Sequence, residues 1–191
     1  LNRVVGNLLD YARPVAGAPQ HVDIRRVFRH ASILTSGLAD THQVTVSTSG
    51  DPRQSVYASP DQVIQCLVNL VANAIQACEP GGVVQLRAFR NGNRVTVDIT
   101  DNGCGMHASV LQRVTEPFFT TRQEGTGLGL SITHQLIELN EGHMLIQSTE
   151  GEGTTVSVTL PAANSDNLSI QKKTQKQRPT DNQHVLTDPD R

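Results

Sequence analysis

With 191 residues, the chain is long enough for one ordinary domain that buries its own core without covalent staples. A net charge of −2, no Trp and 3% aromatic residues argue against a nucleic-acid binder, which needs a basic face or aromatic stacking platforms. Cys66, Cys78 and Cys104 form no Cys-x-x-Cys pair and read as reduced cytosolic thiols, no run of about 18 apolar residues could cross a membrane, and no signal peptide is visible.

The chain starts at Leu1 rather than Met, which predicts a fragment. Residues 1–14 read as the end of an amphipathic helix, with Val4, Val5, Leu8, Leu9 and Tyr11 near helical spacing and Pro14 as the stop. Residues 15–20 are a small-residue linker, and a folded domain is expected over 21–162. Its first helix is predicted over 22–38, followed by strands at 44–47 and 56–58. The strongest helix signal comes next. Ser59 is a good N-cap, Pro60 suits the first turn, and the pattern runs to Cys78 before Glu79-Pro80-Gly81-Gly82. Strands over 83–90 and 94–100 flank Asn91-Gly92-Asn93, a hairpin signal. A Gly- and Thr-rich stretch runs from Asp101 to Gly129, with a short helical piece near 108–114. Residues 129–140 read as a helix, and 143–148 with 154–160 as a last hairpin. Residues 163–191 are polar and nearly free of apolar side chains, which predicts a disordered tail or linker. The expected fold class is α+β, a two-layer α/β sandwich with a mixed, mostly antiparallel sheet and helices on one face.

The helix predicted over 60–78 is apolar around most of its circumference. Yet Gln62, Gln65, Asn69, Asn73 and Gln76 fall within an arc of roughly 80° at about 100° per residue. Amides on an otherwise buried helix need polar company; a solvated face supplies it, and so does a wet cleft holding a polar ligand. Asp101-Asn102-Gly103-Cys104-Gly105-Met106 directly follows a strand. A carboxylate at a strand end can accept a bond from a ligand amino group, and Gly103 and Gly105 let the backbone approach a flat ring, although most such strings are plain turns. Gly125-Thr126-Gly127-Leu128-Gly129-Leu130 opens a helix, whose free N–H groups and dipole favour an anion such as phosphate; a flexible hinge would read the same. No Gly-Lys-Ser/Thr follows, so this is not a P-loop, and no strand leads directly into it as a dinucleotide fingerprint requires.

Taken in order, these segments resemble the boxes of sensor histidine kinases. Asn69-Leu-Val-Ala-Asn73-Ala-Ile-Gln-Ala77 resembles the N box, and Asp101 to Met106 the first glycine box. Glu116-Pro117-Phe118-Phe119-Thr120-Thr121 resembles the F box, Gly125 to Leu130 the second glycine box, and Gly151-Glu-Gly-Thr154-Thr-Val156 the closing G-x-G-T motif. Each is weak alone; the ordered set, covering about residues 20–161, is very specific. Leu8 to Pro14 resembles the end of the second helix of a dimerisation and phosphoacceptor domain.

The resemblance implies a catalytic domain that binds Mg·ATP and passes the γ-phosphoryl group to a histidine of a phosphoacceptor domain, and from there to the Asp of a response regulator. It implies Asn73 as the Mg²⁺ ligand, in keeping with the preference of Mg²⁺ for hard oxygen donors, with Asn69 supporting the metal and phosphates. Asp101 would accept the adenine amino proton, with Gly103 and Gly105 alongside the ring and Thr154 nearby. Thr126 and the N–H groups of Gly127, Leu128 and Gly129 would hold the phosphates. Arg122 stands where many relatives carry Lys and would serve a phosphate with its fork; Gln76 stands where others carry Lys or Arg. Residues 106–126 would form a mobile ATP lid, anchored by burial of Phe118 and Phe119. His21, His30, His42, His107, His134, His143 and His184 all lack the His-Glu or His-Asp context of an acceptor. The acceptor is therefore expected upstream of Leu1, and the fragment is expected to bind nucleotide without phosphorylating itself. The full-length protein would be a cytoplasmic homodimer, with or without an inner-membrane anchor. Gyrase, mismatch-repair and heat-shock ATPases share this fold but use a Glu as general base one turn before the metal Asn. That position here is Asn69, which cannot take a proton at neutral pH. The F box and the helix ending at Arg13 argue against a Ser/Thr kinase of the anti-sigma-factor type.

Overall fold

The computed structural model describes residues 17–50, 54–122 and 125–163. The helix end expected over 1–14, and the expected tail from residue 164 onward, lie outside them. The chain enters the fold as a strand, β1 (Gln20–Asp23), and not as the helix predicted from residue 22. Val22 pairs with Val56 of β3 (Ser55–Ala58) in a two-stranded antiparallel sheet. Four residues are too few to show a period of two in sequence, and the partner strand is remote. Helix α1 (Ile24–His42) then starts at Asp23, whose carboxylate accepts the Arg25 N–H at 2.9 Å. It ends at Gln43, in the left-handed region at φ 55°.

A five-stranded sheet carries the rest: β2 (Thr45–Gly50), β4 (Val83–Asn91), β5 (Arg94–Asp101), β6 (His143–Thr149) and β7 (Gly153–Pro161), in the order β2-β4-β5-β7-β6. Only the β2–β4 pairing is parallel. That pair needs a crossover, and the chain between the two strands supplies it as β3 and helix α2 (Pro60–Ala77). Gly92, at φ 60°, turns the β4–β5 hairpin where the Asn-Gly signal predicts it.

Alternation along β4 and β5 buries Val84, Leu86, Ala88, Val95, Val97 and Ile99 on one face. Helices α1, α2 and α4 (Gly129–Leu139) pack over that face, with α2 in the middle. The opposite face is polar, with Thr96 bonded to Thr159, Thr100 to Thr155, and Ser157 to Asp98 across the strands. The α+β two-layer class with a mixed, mostly antiparallel sheet is thus the observed one. Among the described residues, no helix is long and apolar enough to cross a membrane.

Candidate functional site

Between α2, the ends of β5 and β7, and the start of α4 lies a cleft of about 820 Å³. This is within the ~300–1,000 Å³ usual for ligand sites. Four of the five stripe amides, Gln65, Asn69, Asn73 and Gln76, line it. Gln62 does not. It is buried at the other end of α2, where its Oε1 accepts from Asn140 Nδ2 at 2.7 Å. Asn140 Oδ1 in turn accepts the Ser59 N–H at 2.7 Å. Ser59 holds the N-cap position as predicted, but its hydroxyl makes no capping bond and is buried without a partner among the described residues.

Asn69 Nδ2 donates to Thr133 Oγ1 at 2.8 Å, tying α2 to α4. This turns its Oδ1 toward Gly129, where a Cβ would lie only 2.6 Å away. Asp101 closes the opposite wall from the last position of β5. It is buried, and its Oδ1 accepts two main-chain bonds, from Gly103 at 2.9 Å and Thr154 at 3.3 Å. Burial is the largest influence on this carboxyl and pushes its pKa up, opposed by those two N–H groups and by Arg122. One oxygen is thereby fixed, and Oδ2 is left to meet a ligand donor.

The glycines divide by role. Gly105, at φ 62°, lines the cleft, and a Cβ there would sit 1.9 Å from the Thr149 carbonyl. Gly103 does not line it; it packs against the Ala77 carbonyl and steadies Asp101. Thr126, Gly127 and Gly129 line the cleft at the start of α4, with Gly127 at φ 67°. Leu128 instead turns its side chain into the interior, and its N–H leans on Thr126 Oγ1 at 3.4 Å. Thr154 lines the cleft and shares a 2.9 Å bond with Ser148.

Arg122 reaches into the cleft. Its guanidinium donates to Asn73 Oδ1 at 3.2 Å, to the Asn73 carbonyl at 3.1 Å, and to Gln76 Oε1. Loss of water lowers its pKa, while Cys104 and Asp101 nearby act in the other direction. The two phenylalanines part company, against the expectation that both are buried. Phe119 lines the cleft, with the Arg113 guanidinium 4.3 Å from its ring centroid. Phe118 is 65% exposed at φ 66°, because its main-chain N–H is bound to the Gly127 carbonyl and turns the ring outward.

Residues given no site role in the sequence complete the walls: Ile99, Ile146 and Val156 from the sheet, Thr133 from α4, and His42 at the end of α1. Ile99 and Ile146 sit in ordinary strands, so nothing local marks them. Thr133 was within reach of sequence reasoning, one turn after Gly129 on the glycine-initiated helix.

Of Asn69, Asn73, Asp101, Gly103, Gly105, Arg122, Thr126, Gly127, Leu128, Gly129 and Thr154, all but Gly103 and Leu128 therefore border one cavity. Over residues 58–164 the chain matches the family described as histidine kinase-, DNA gyrase B-, and HSP90-like ATPase. It is 38% identical over 162 residues to the sensor histidine kinase ZraS of Escherichia coli strain K12, covering 84% of this chain and 35% of that one. The chain spans about a third of the length of such curated relatives. Among solved structures it is similar to the catalytic domain of histidine kinase ThkA (25% identity, TM-score 0.68, 75% of this chain and 95% of that one). It is also similar to full-length ShkA in complex with AMPPNP (25% identity, TM-score 0.75, 85% of this chain and 36% of that one).

Proposed function

The chain belongs to the histidine kinase-, DNA gyrase B- and HSP90-like ATPase family, and from that premise we propose that it is the ATP-binding catalytic domain of a two-component sensor histidine kinase, spanning residues 21–162. The observation that carries this is the meeting of Asn73, Asp101, Thr154, Gly127 and Gly129 on one cleft. ATP supplies the γ-phosphoryl group that is transferred. Asp101 Oδ2 accepts the adenine amino hydrogen, and Gly105 and Thr154 border the ring. Main-chain amides at the start of α4 and the helix dipole receive the phosphates.

Mg²⁺ fits the donors present. Asn73 offers one hard carbonyl oxygen, and Mg²⁺ is commonly held by one or two protein oxygens together with waters and phosphate. Among the described residues no cluster of three or more His, Cys, Asp or Glu could hold a metal unaided. Transfer needs positioning and charge neutralisation more than covalent help. Asn69 supports transfer over hydrolysis, because an amide anchored to Thr133 cannot act as general base. The acceptor histidine belongs to a separate phosphoacceptor domain, and a response-regulator receiver takes the phosphate next.

The test mixes labelled ATP, Mg²⁺, this chain and a separate phosphoacceptor helix pair. Label on a histidine of the helix pair is expected, with none on this chain alone. Asn73→Ala should lower transfer by about a hundredfold or more. Free phosphate as the main product, or full transfer by Asn73→Ala, would overturn the reading.

A further inference from the structure

Arg122 lies in the loop between α3 (Ala108–Leu111) and α4, and it is bonded to the group on which metal binding depends. The Asn73 amide oxygen can serve a guanidinium or a divalent cation, but two cations at one small dipole repel each other. Donors to the Asn73 carbonyl and to Gln76 add a second and third tie from the same side chain. Gln76 and Asn73 lie three residues apart on one face of α2, so a single planar fork spans both. The same stretch is also tied to the start of α4, through the Phe118 N–H to the Gly127 carbonyl at 2.9 Å. The acceptors that hold Arg122 are all neutral. A guanidinium gains far more from phosphate oxygens, to which it bonds in a charged, two-pronged pair, than from amide oxygens.

We propose that Arg122 is a self-inhibitory latch, which holds the loop of residues 112–122 across the cleft by occupying the Asn73 oxygen and which an incoming polyphosphate releases by drawing the guanidinium to itself. This rests on the Mg·ATP reading of the cleft. Release and metal binding are then one event: the anion that removes Arg122 from Asn73 frees the oxygen for the divalent cation that accompanies it. A nucleoside without phosphates lacks the charge to open the latch.

Two measurements separate the latch from the nucleotide reading. Hydrogen exchange on the full chain without nucleotide reads the latch directly. Arg122→Ala and Gln76→Ala should speed exchange of the amides of residues 113–122. Gln76→Glu, which keeps the shape and adds a charged acceptor, should slow it. Stopped-flow binding of a fluorescent ATP analogue with Mg²⁺ should show an association rate constant about fivefold or more higher for Arg122→Ala, the scale expected for removing charge-assisted hydrogen bonds. Adenosine should leave exchange of the loop unchanged in the unaltered chain. Equal exchange in all four proteins, or loop release by adenosine, would overturn the latch. Failure of the analogue to bind the unaltered chain would overturn the nucleotide reading instead, while the exchange series would still decide whether Arg122 fastens the loop.

Discussion

Asp101 is where burial and the proposed recognition of adenine oppose each other. Burial raises its pKa above the ordinary 3.8, so the folded chain holds this proton more tightly than the unfolded chain does. Ionised Asp101 therefore subtracts stability at neutral pH, and that cost shrinks as pH falls through the raised folded-state value. Ligand recognition runs the other way, because a protonated carboxyl no longer offers Oδ2 as a free acceptor. Nucleotide affinity is thus expected to fall on acidification with a midpoint above 3.8. Asp101→Asn separates the two effects. Its Oδ1 still accepts from Gly103 and Thr154, but an amide NH₂ now faces the amino group of adenine. At pH 7 the variant should melt at or above the parent temperature while binding ATP at least about tenfold more weakly, as loss of a charge-assisted bond implies. A lower melting temperature with full affinity, by calorimetry, would refute both halves.

At the scale of elements, α2 and α4 are pinned at two places. Asn69–Thr133 holds them beside the cleft, and the node of Ser59, Gln62 and Asn140 holds their far ends. Asn140→Ala would leave the Ser59 N–H buried without its acceptor and would remove the Asn140 bond to the Gln62 carbonyl. Urea unfolding should show a loss of about 2–4 kcal/mol at unchanged slope, since an orphaned buried group costs ~1–3 kcal/mol and a lost hydrogen bond ~0.5–1.5 kcal/mol. The same node shows where sequence reasoning stops. The 3.6-residue period displayed five amides on one line of α2, and four of them do face the cleft. Gln62 is set apart by Asn140, 78 residues later, which no periodicity reports. β1 was missed for a related reason, since its strand character comes from pairing with Val56. Phe118 misled because an apolar side chain predicts burial, whereas its direction is fixed by one main-chain bond. The motifs themselves were legible because residue types suited to a metal, a phosphate and an adenine are rarely lined up in that order by ordinary packing.

For the molecule as a whole, one apolar cluster joins α1, α2, α4 and the inner face of the sheet. It extends from Val22 to Ala162 and so involves both ends of the region described. Residues 17–163 alone should therefore unfold in a single transition, within about 3 °C of the full chain, as a cooperative unit of this size does. A split transition or a much lower melting temperature would show that the flanking segments contribute to the core.

The sheet order has one more consequence. Strands β2 and β6 stand at the edges and β5 stands third of five, so Asp101, the carboxylate proposed to meet the base, sits at the tip of the strand farthest from either border. Fraying on warming begins at the margins, where a strand has one neighbour instead of two. The Asp101 end of the pocket is therefore expected to keep its shape while the outer strands are already loosening, so that the proposed grip on a purine would be surrendered only when the whole sheet gives way.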